Sequence, residues 1–265
     1  MLIDLLPIWV LFLISMGLVL LSAEIGFRLG RTARARADGE RESPASSISG
    51  TILGLQAFML AFTFGIVSDR YDTKKELIRA EADAIRAAYH RADFLPEPDS
   101  TRSKALMEEY VDRRIEAGEK REAQLAHNLL GQSLRTQQQL WDIAVANTRN
   151  NMDSEVGALY VESINDIANL HARRVSTALQ ARIPTGIWLV HLSLLTLGMI
   201  GLGYHTAIAN SRRPRVTPLL AVAFSLVIAL IAALDHPGDK LIPVSQQDLV
   251  NLQSEIRGRA DTGTD

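Results

Sequence analysis

The sequence has no cysteine in its 265 residues, which removes disulfides, thiolate metal sites and cysteine nucleophiles together. It also lacks an excess of either charge. The 28 Lys and Arg stand against 30 Asp and Glu, so no basic footprint points to nucleic acid as a partner. Motifs of catalysis are missing as well: there is no His-Glu-x-x-His, no Gly-rich phosphate loop and no Ser/His/Asp arrangement. The chain is therefore expected to be no enzyme and to need no cofactor and no metal. Alternating strand patterns, internal repeats and low-complexity linkers are absent too, which leaves an all-α chain. What is present is apolar: 47% of the residues, gathered into a few blocks.

Four blocks stand out. The first runs from Leu5 to Ala23 without a charge and continues through Glu24 to Arg28. It does not read as a secretory signal, because Asp4 is the only charge before it and no small-residue cleavage site follows. The second, Ser43 to Ser68, is uncharged over more than the roughly 20 residues needed to cross about 30 Å of hydrocarbon. The third, Ile183 to Ser211, carries only histidines as titratable groups, and the fourth runs from Val216 to Leu234 before Asp235. The expected organisation is a first transmembrane helix pair in 1–68, a charged helical extramembrane domain in 69–182, a second transmembrane pair in 183–235 and a C-terminal tail in 236–265. A multi-pass protein of the cell's inner (plasma) membrane, in contact with lipid, follows from that reading.

The middle segment is patterned as helix. Tyr71, Ile78, Ala82, Ile85, Tyr89 and Ala92 recur at three- and four-residue spacing, and no Gly or Pro falls between Gly65 and Pro96. The second span is thus expected to continue as one helix to about Phe94, where Leu95-Pro96-Glu97-Pro98 must break it. Asp99, Ser100 and Thr101 suit the cap of a second helix through about Ala126, and a third covers Gln132 to Thr148. A fourth starts near Asp153. Its stripe of Val156, Leu159/Tyr160, Ile164, Ile167, Leu170, Val175 and Leu179 leads directly into the third span, with Pro184 kinking the junction.

Arginines set the expected orientation. The short connection between the first two spans carries Arg31, Arg34, Arg36 and Arg41, and that between the last two carries Arg212, Arg213 and Arg215. The positive-inside rule puts both in the cytoplasm, and the middle segment and both termini outside.

Candidate site residues lie on the spans. Glu24 sits one turn before Arg28, where a carboxylate is costly unless paired or facing a wet interior; it is either an interfacial ion pair or a pore or proton-path group. His191 and His205 share a face but lie about 21 Å apart, too far for one metal, and read as satisfied or interfacial histidines. His90, His127 and His171 are scattered singly in the middle helices. On the second span Gly50, Gly54, Ala57, Ala61 and Gly65 form a row of small residues that would let helices approach closely. Phe58 and Phe62, one turn apart, either meet lipid and neighbouring helices or, with several copies around an axis, ring a hydrophobic constriction.

The run Phe58-Met59-Leu60-Ala61-Phe62, with Arg70-Tyr71 eight residues on, resembles the neck helix of bestrophin anion channels, where two phenylalanines precede an Arg-Trp pair at that offset. More of the chain resembles the bacterial bestrophin-like family. The matching pieces are Glu24-Ile25-Gly26-Phe27-Arg28-Leu29-Gly30, Arg70-Tyr71-Asp72, Glu81-Ala82-Asp83-Ala84-Ile85, Ala88-Tyr89-His90-Arg91-Ala92-Asp93, Leu95-Pro96, Asp235-His236-Pro237 and Val244-Ser245-Gln246-Gln247. The resemblance implies a homo-oligomeric ion channel, a pentamer passing small inorganic anions, with Phe58 and Phe62 at the neck and Arg70 beside it. It also implies a middle domain and termini in the cytoplasm, opposite to the arginine reading. No run aligns with the acidic calcium clasp of animal bestrophins, so calcium gating is not implied. A non-conducting membrane sensor or scaffold is the alternative.

Overall fold

The computed structural model describes residues 7–36, 44–119, 123–150, 155–179, 182–209, 217–236 and 242–262. Expectations resting on Arg41, Asp153, Arg212, Arg213, Arg215 and Pro237 lie outside these. Among the described residues the chain is all helical: α1 (Ile8–Arg36), α2 (Ala45–Arg91), α3 (Asp99–Glu119), α4 (Ala123–Asn150), α5 (Glu155–Leu179), α6 (Thr185–Ile208), α7 (Thr217–Asp235) and α8 (Gln247–Thr262). Four of them, α1, α2, α6 and α7, are long and apolar enough to cross a membrane.

Proline punctuates these helices. α1, α2 and α6 each begin directly after or one residue past a proline (Pro7, Pro44 and Pro184), whose carbonyl receives an early helical N–H. α2 runs without interruption for 47 residues and closes in a 3-10 turn, Ala92–Phe94. Leu95 is then extended, as the residue before Pro96 must be. The expected seamless passage of α5 into the third span is not what forms. α5 stops at Leu179, and Arg182–Pro184 are not helical. The cause is the same: Pro184 forces Ile183 out of the helical region. The boundary between the second and third middle helices also shifts, with α3 ending at Glu119 and α4 already begun at Ala123.

The chain forms two compact units, one of residues up to Tyr71 with Arg182–Ile242, the other of Asp72–Ala181 with Pro243–Asp265. In the first, Val19, Leu60, Val67, Trp188, Leu195, Met199, Ile228 and Ile231 form the core. α1 and α6 meet backbone to backbone. A Cβ on Gly26 would stand 1.9 Å from the Ile200 carbonyl oxygen, one on Gly203 would stand 2.1 Å from that of Ala23, and one on Gly30 would stand 2.5 Å from that of Tyr204. Small residues let helices associate where lipid offers no hydrophobic drive, and here they are Gly26, Gly30 and Gly203. In the second unit the core joins Ile78, Ala82, Ile85 and Tyr89 of α2 to Met107 and Tyr110 of α3, Leu140 of α4, Tyr160, Ile164 and Ile167 of α5, and Leu249, Leu252 and Ile256 of α8. α8 takes up residues expected only as a tail; its apolar face uses helical spacing, and Ser245 Oγ accepts the Gln247 N–H at its start.

Gly203→Val or Gly26→Val places carbon against a carbonyl oxygen that cannot move without separating α1 from α6. Either substitution is expected to cost at least about 3 kcal/mol, the upper range of overpacking, and to lower the thermal midpoint of the detergent-solubilised chain by several degrees. Gly17→Val on α1, where nothing lies within 4 Å, serves as the control and should shift it little.

Candidate functional site

α2 is sided. Towards its own unit it turns Ser49, Gln56, Leu60, Thr63 and Val67, all buried. The opposite side is bare: Phe58 and Phe62 are 65% and 62% exposed, and Gly54, Ala57, Ala61 and Gly65 are exposed beside them. No atom of a neighbouring described element lies within 4 Å of a Cβ built at Gly50, Gly54 or Gly65. At about 100° per residue, the small-residue row and the phenylalanine pair lie roughly 80° apart around the helix. The two flanks are therefore adjacent but distinct, and both stay exposed among the described residues.

The charged candidates each have a partner. Arg28 Nε donates to Glu24 Oε1 at 2.8 Å across one turn of α1, with the arginine side chain 76% exposed. Arg70 Nη1 meets Asp235 Oδ1 at 3.5 Å. Asp235, 8% exposed, also accepts the Ile183 N–H at 3.1 and 3.3 Å, and its carbonyl accepts from Arg182. One carboxylate thus caps the start of α6 from the end of α7 and holds α2 to both.

Three polar groups on the buried side of α2, Ser49, Gln56 and Thr63, escaped the sequence reading. Gln56 is fully buried, Thr63 is 2% exposed, and Thr63 Oγ1 lies 2.9 Å from Nε2 of His191, itself 1% exposed and edge-on to Trp188. The signal was available, because Ser49, Gln56, Thr63 and Arg70 recur every seven residues on an otherwise apolar helix. His205 is half-buried on the same helix as His191.

In the second unit the chemistry centres on Glu81, fully buried on α2. Tyr110 Oη donates to its Oε1 at 2.6 Å, Arg114 Nε lies 3.3 Å from the same oxygen, and Arg174 donates to Oε2. The phenol has one proton and gives it to Glu81, so it accepts from Gln137 Nε2 at 3.1 Å and from His171 Nδ1 at 3.1 Å. His171 therefore carries a proton at Nδ1. Burial alone would raise the Glu81 carboxyl, but Arg174, Arg114 and the Tyr110 hydroxyl outweigh it and hold the group below its ordinary value. Burial and the Glu81 charge push the Tyr110 phenol up. Burial, with Arg114 and Arg174 adding to it against Glu81, pushes His171 down to about 4. Two arginines face one carboxylate, so breaking the set by removing Glu81 leaves buried charge uncompensated. Among the described residues no cluster of three or more His, Asp or Glu has the arrangement of a metal site.

Folded His171 releases its proton near pH 4, whereas the unfolded side chain keeps one up to about 6.5. Between those values the unfolded state binds more protons, and stability falls as the pH drops through the window. Glu81, with its folded value depressed, adds a loss that begins only below about 4.5. Thermal or denaturant unfolding of the full chain at pH 7.5 and pH 5 should thus differ by about 2 kcal/mol from His171 alone. His171→Asn, which can still donate to Tyr110, should remove most of that difference.

The Bestrophin-like domain family matches residues 16–249. No curated protein and no solved structure matches the chain. The matched range takes in α1 from its ninth residue, Met16, the whole of α2, α6 and α7, the exposed phenylalanines of α2, Glu81 with each of its partners, and the Asp235 cap. This chain, a multi-pass membrane protein, belongs to the Bestrophin-like family.

Proposed function

We propose that the chain is the subunit of a homo-oligomeric ion channel, a pentamer, that passes small inorganic anions along an axis lined by α2. α1 with α2 and α6 with α7 form two transmembrane pairs, and the charged second unit stands outside the bilayer. The observation that carries this reading is the bare side of α2: two phenylalanines and a row of small residues stay exposed among the described residues. Adjacent flanks about 80° apart suit a ring of helices, one flank closing on the neighbour and the other facing the axis. Phe58 and Phe62 would then stack as two apolar rings, a constriction that closes when water leaves it. Arg70 lies two turns beyond Phe62, towards one end of the passage.

Assembly is tested first. At Gly54 an added Cβ has no described neighbour within 4 Å, so Gly54→Leu should leave the folded subunit intact and disrupt the oligomer measured by native mass in mild detergent. A wild-type chain that is monomeric in detergent and in bilayers excludes the channel. Flux is tested next: Phe58→Ala with Phe62→Ala should wet the constriction and raise anion flux into liposomes, while Leu226→Ala, exposed on α7, should not. If neither wild type nor the double variant carries current with the oligomer intact, the chain is a non-conducting sensor or scaffold.

Orientation follows from single cysteines in this cysteine-free chain. With the arginine-rich connections cytoplasmic, an impermeant thiol reagent on intact cells labels cysteines at Gln139, exposed on α4, and Thr262 and spares those at Ser46 and Ser211. The reverse pattern gives the arrangement of animal bestrophins.

A further inference from the structure

The buried side of α2 carries a second polar feature that the axial pathway does not use. Ser49, Gln56 and Thr63 are 2%, 0% and 2% exposed, and with Arg70 they form one row at seven-residue spacing. From Arg70 to Ser49 the row spans about 31 Å at 1.5 Å per residue, the thickness of a bilayer's hydrocarbon core. α6 and α7 add to it. Thr63 faces His191, and Ser49 lies against Gly201, so α6 runs antiparallel to α2. Arg70 meets Asp235, which sets the fully buried Ser225 of α7 at a height of about 15 Å from Arg70, between the heights of Thr63 at roughly 10 Å and Gln56 at roughly 21 Å.

Several atoms of this row have no hydrogen-bond partner among the described residues: both amide atoms of Gln56, Ser225 Oγ and His191 Nδ1. Each is buried inside a single chain, so neither lipid nor a neighbouring subunit can reach it. Leaving such groups unmet is costly, and an occupant small enough to sit among packed helices and able to both donate and accept is water. The row has no carboxylate between its ends to hold a cation and no guanidinium there to hold an anion.

His191 gives the row a direction. Thr63 Oγ1 already donates its proton to the Met59 carbonyl at 2.8 Å, so at 2.9 Å it accepts from His191 Nε2–H. The neutral ring therefore keeps a bare lone pair at Nδ1, buried and without a partner among the described residues. The charged groups nearest to it along the helices packed there are Arg70 on α2 and Asp235 on α7 at one end, with His205 two heptads further along α6. We propose that each subunit holds a file of water along Ser49, Gln56, Ser225, Thr63 and His191 that carries protons across the membrane, separate from the shared axis. Hydronium gives its proton to Nδ1, leaving water and imidazolium; Nδ1 then releases that proton to the next water of the file, which becomes hydronium, while Nε2–H stays on Thr63 and the ring is neutral again. Only N–H and O–H bonds form and break.

The test uses the full chain in liposomes with an entrapped pH dye and a potassium gradient set by valinomycin. Wild type should acidify the lumen several-fold faster than protein-free vesicles. His191→Gln keeps a donor for Thr63 but cannot take up a proton, and Gln56→Leu dries the middle of the file. Each should slow the flux at least about tenfold, the effect of 1.4 kcal/mol on a barrier, with oligomer and elution profile unchanged. Wild-type flux equal to that of empty vesicles overturns the proposal. So does full proton flux in His191→Gln, or proton flux that rises in Phe58→Ala with Phe62→Ala while His191→Gln leaves it intact, since protons then follow the axis. Anion flux read by a chloride dye in the same vesicles is independent of these outcomes, so the axial channel and the proton file stand or fall separately.

Discussion

Hydrocarbon supplies no hydrogen bonds, and a helix that enters it must meet every polar demand from within the protein. The first unit obeys that constraint at its edge through Asp235. Its carboxylate takes up the Ile183 N–H, which Pro184 has excluded from the helix, and it neutralises Arg70 of α2. The same constraint explains why α1 and α6 touch through glycine. Where lipid is as apolar as leucine, helices gain from close van der Waals contact, and only Gly26, Gly30 and Gly203 let the two backbones approach this far.

The second unit solves the related problem of burying charge in a protein interior. Glu81 sits at the edge of the apolar stripe of α2, and its cost is met by groups from two other helices. The result is a saturated arrangement around Tyr110, with one proton given and two accepted, and it places a proton on Nδ1 of His171. Replacing this set with apolar residues could be neutral for stability, whereas removing one member is not. The set therefore constrains how α2, α3 and α5 face one another in this unit more than it adds to the stability of the fold.

Much of this was legible in the sequence, for identifiable reasons. The four apolar helices announce themselves by uninterrupted length, and the α2 stripe of Ile78, Ala82, Ile85 and Tyr89 by its period. α8 was missed because only Leu249, Leu252 and Ile256 mark it, too few to stand out in a polar terminal stretch. Glu81 could be suspected from its place on the apolar stripe, but Arg114 and Arg174 lie 33 and 93 residues away, and pairing at such range leaves no local trace. The seven-residue polar row is marked by its period, but its members stand singly, about two turns apart, in an apolar run. Gly26, Gly30 and Gly203 meet across α1 and α6, about 175 residues apart in the sequence, and a contact at that range has no local mark.

The glycine contact between α1 and α6 also has a consequence for biosynthesis. α1 leaves the ribosome about 180 residues before its partner, so at 5–20 residues per second it waits roughly 10–35 s in the bilayer with the surface around Gly26 and Gly30 unmatched. During that interval the groove can be covered by lipid, by the insertion machinery, by the chain's own α2, or by the α1 of another nascent chain. The last would be a wrong pairing that the arrival of Gly203 has to displace.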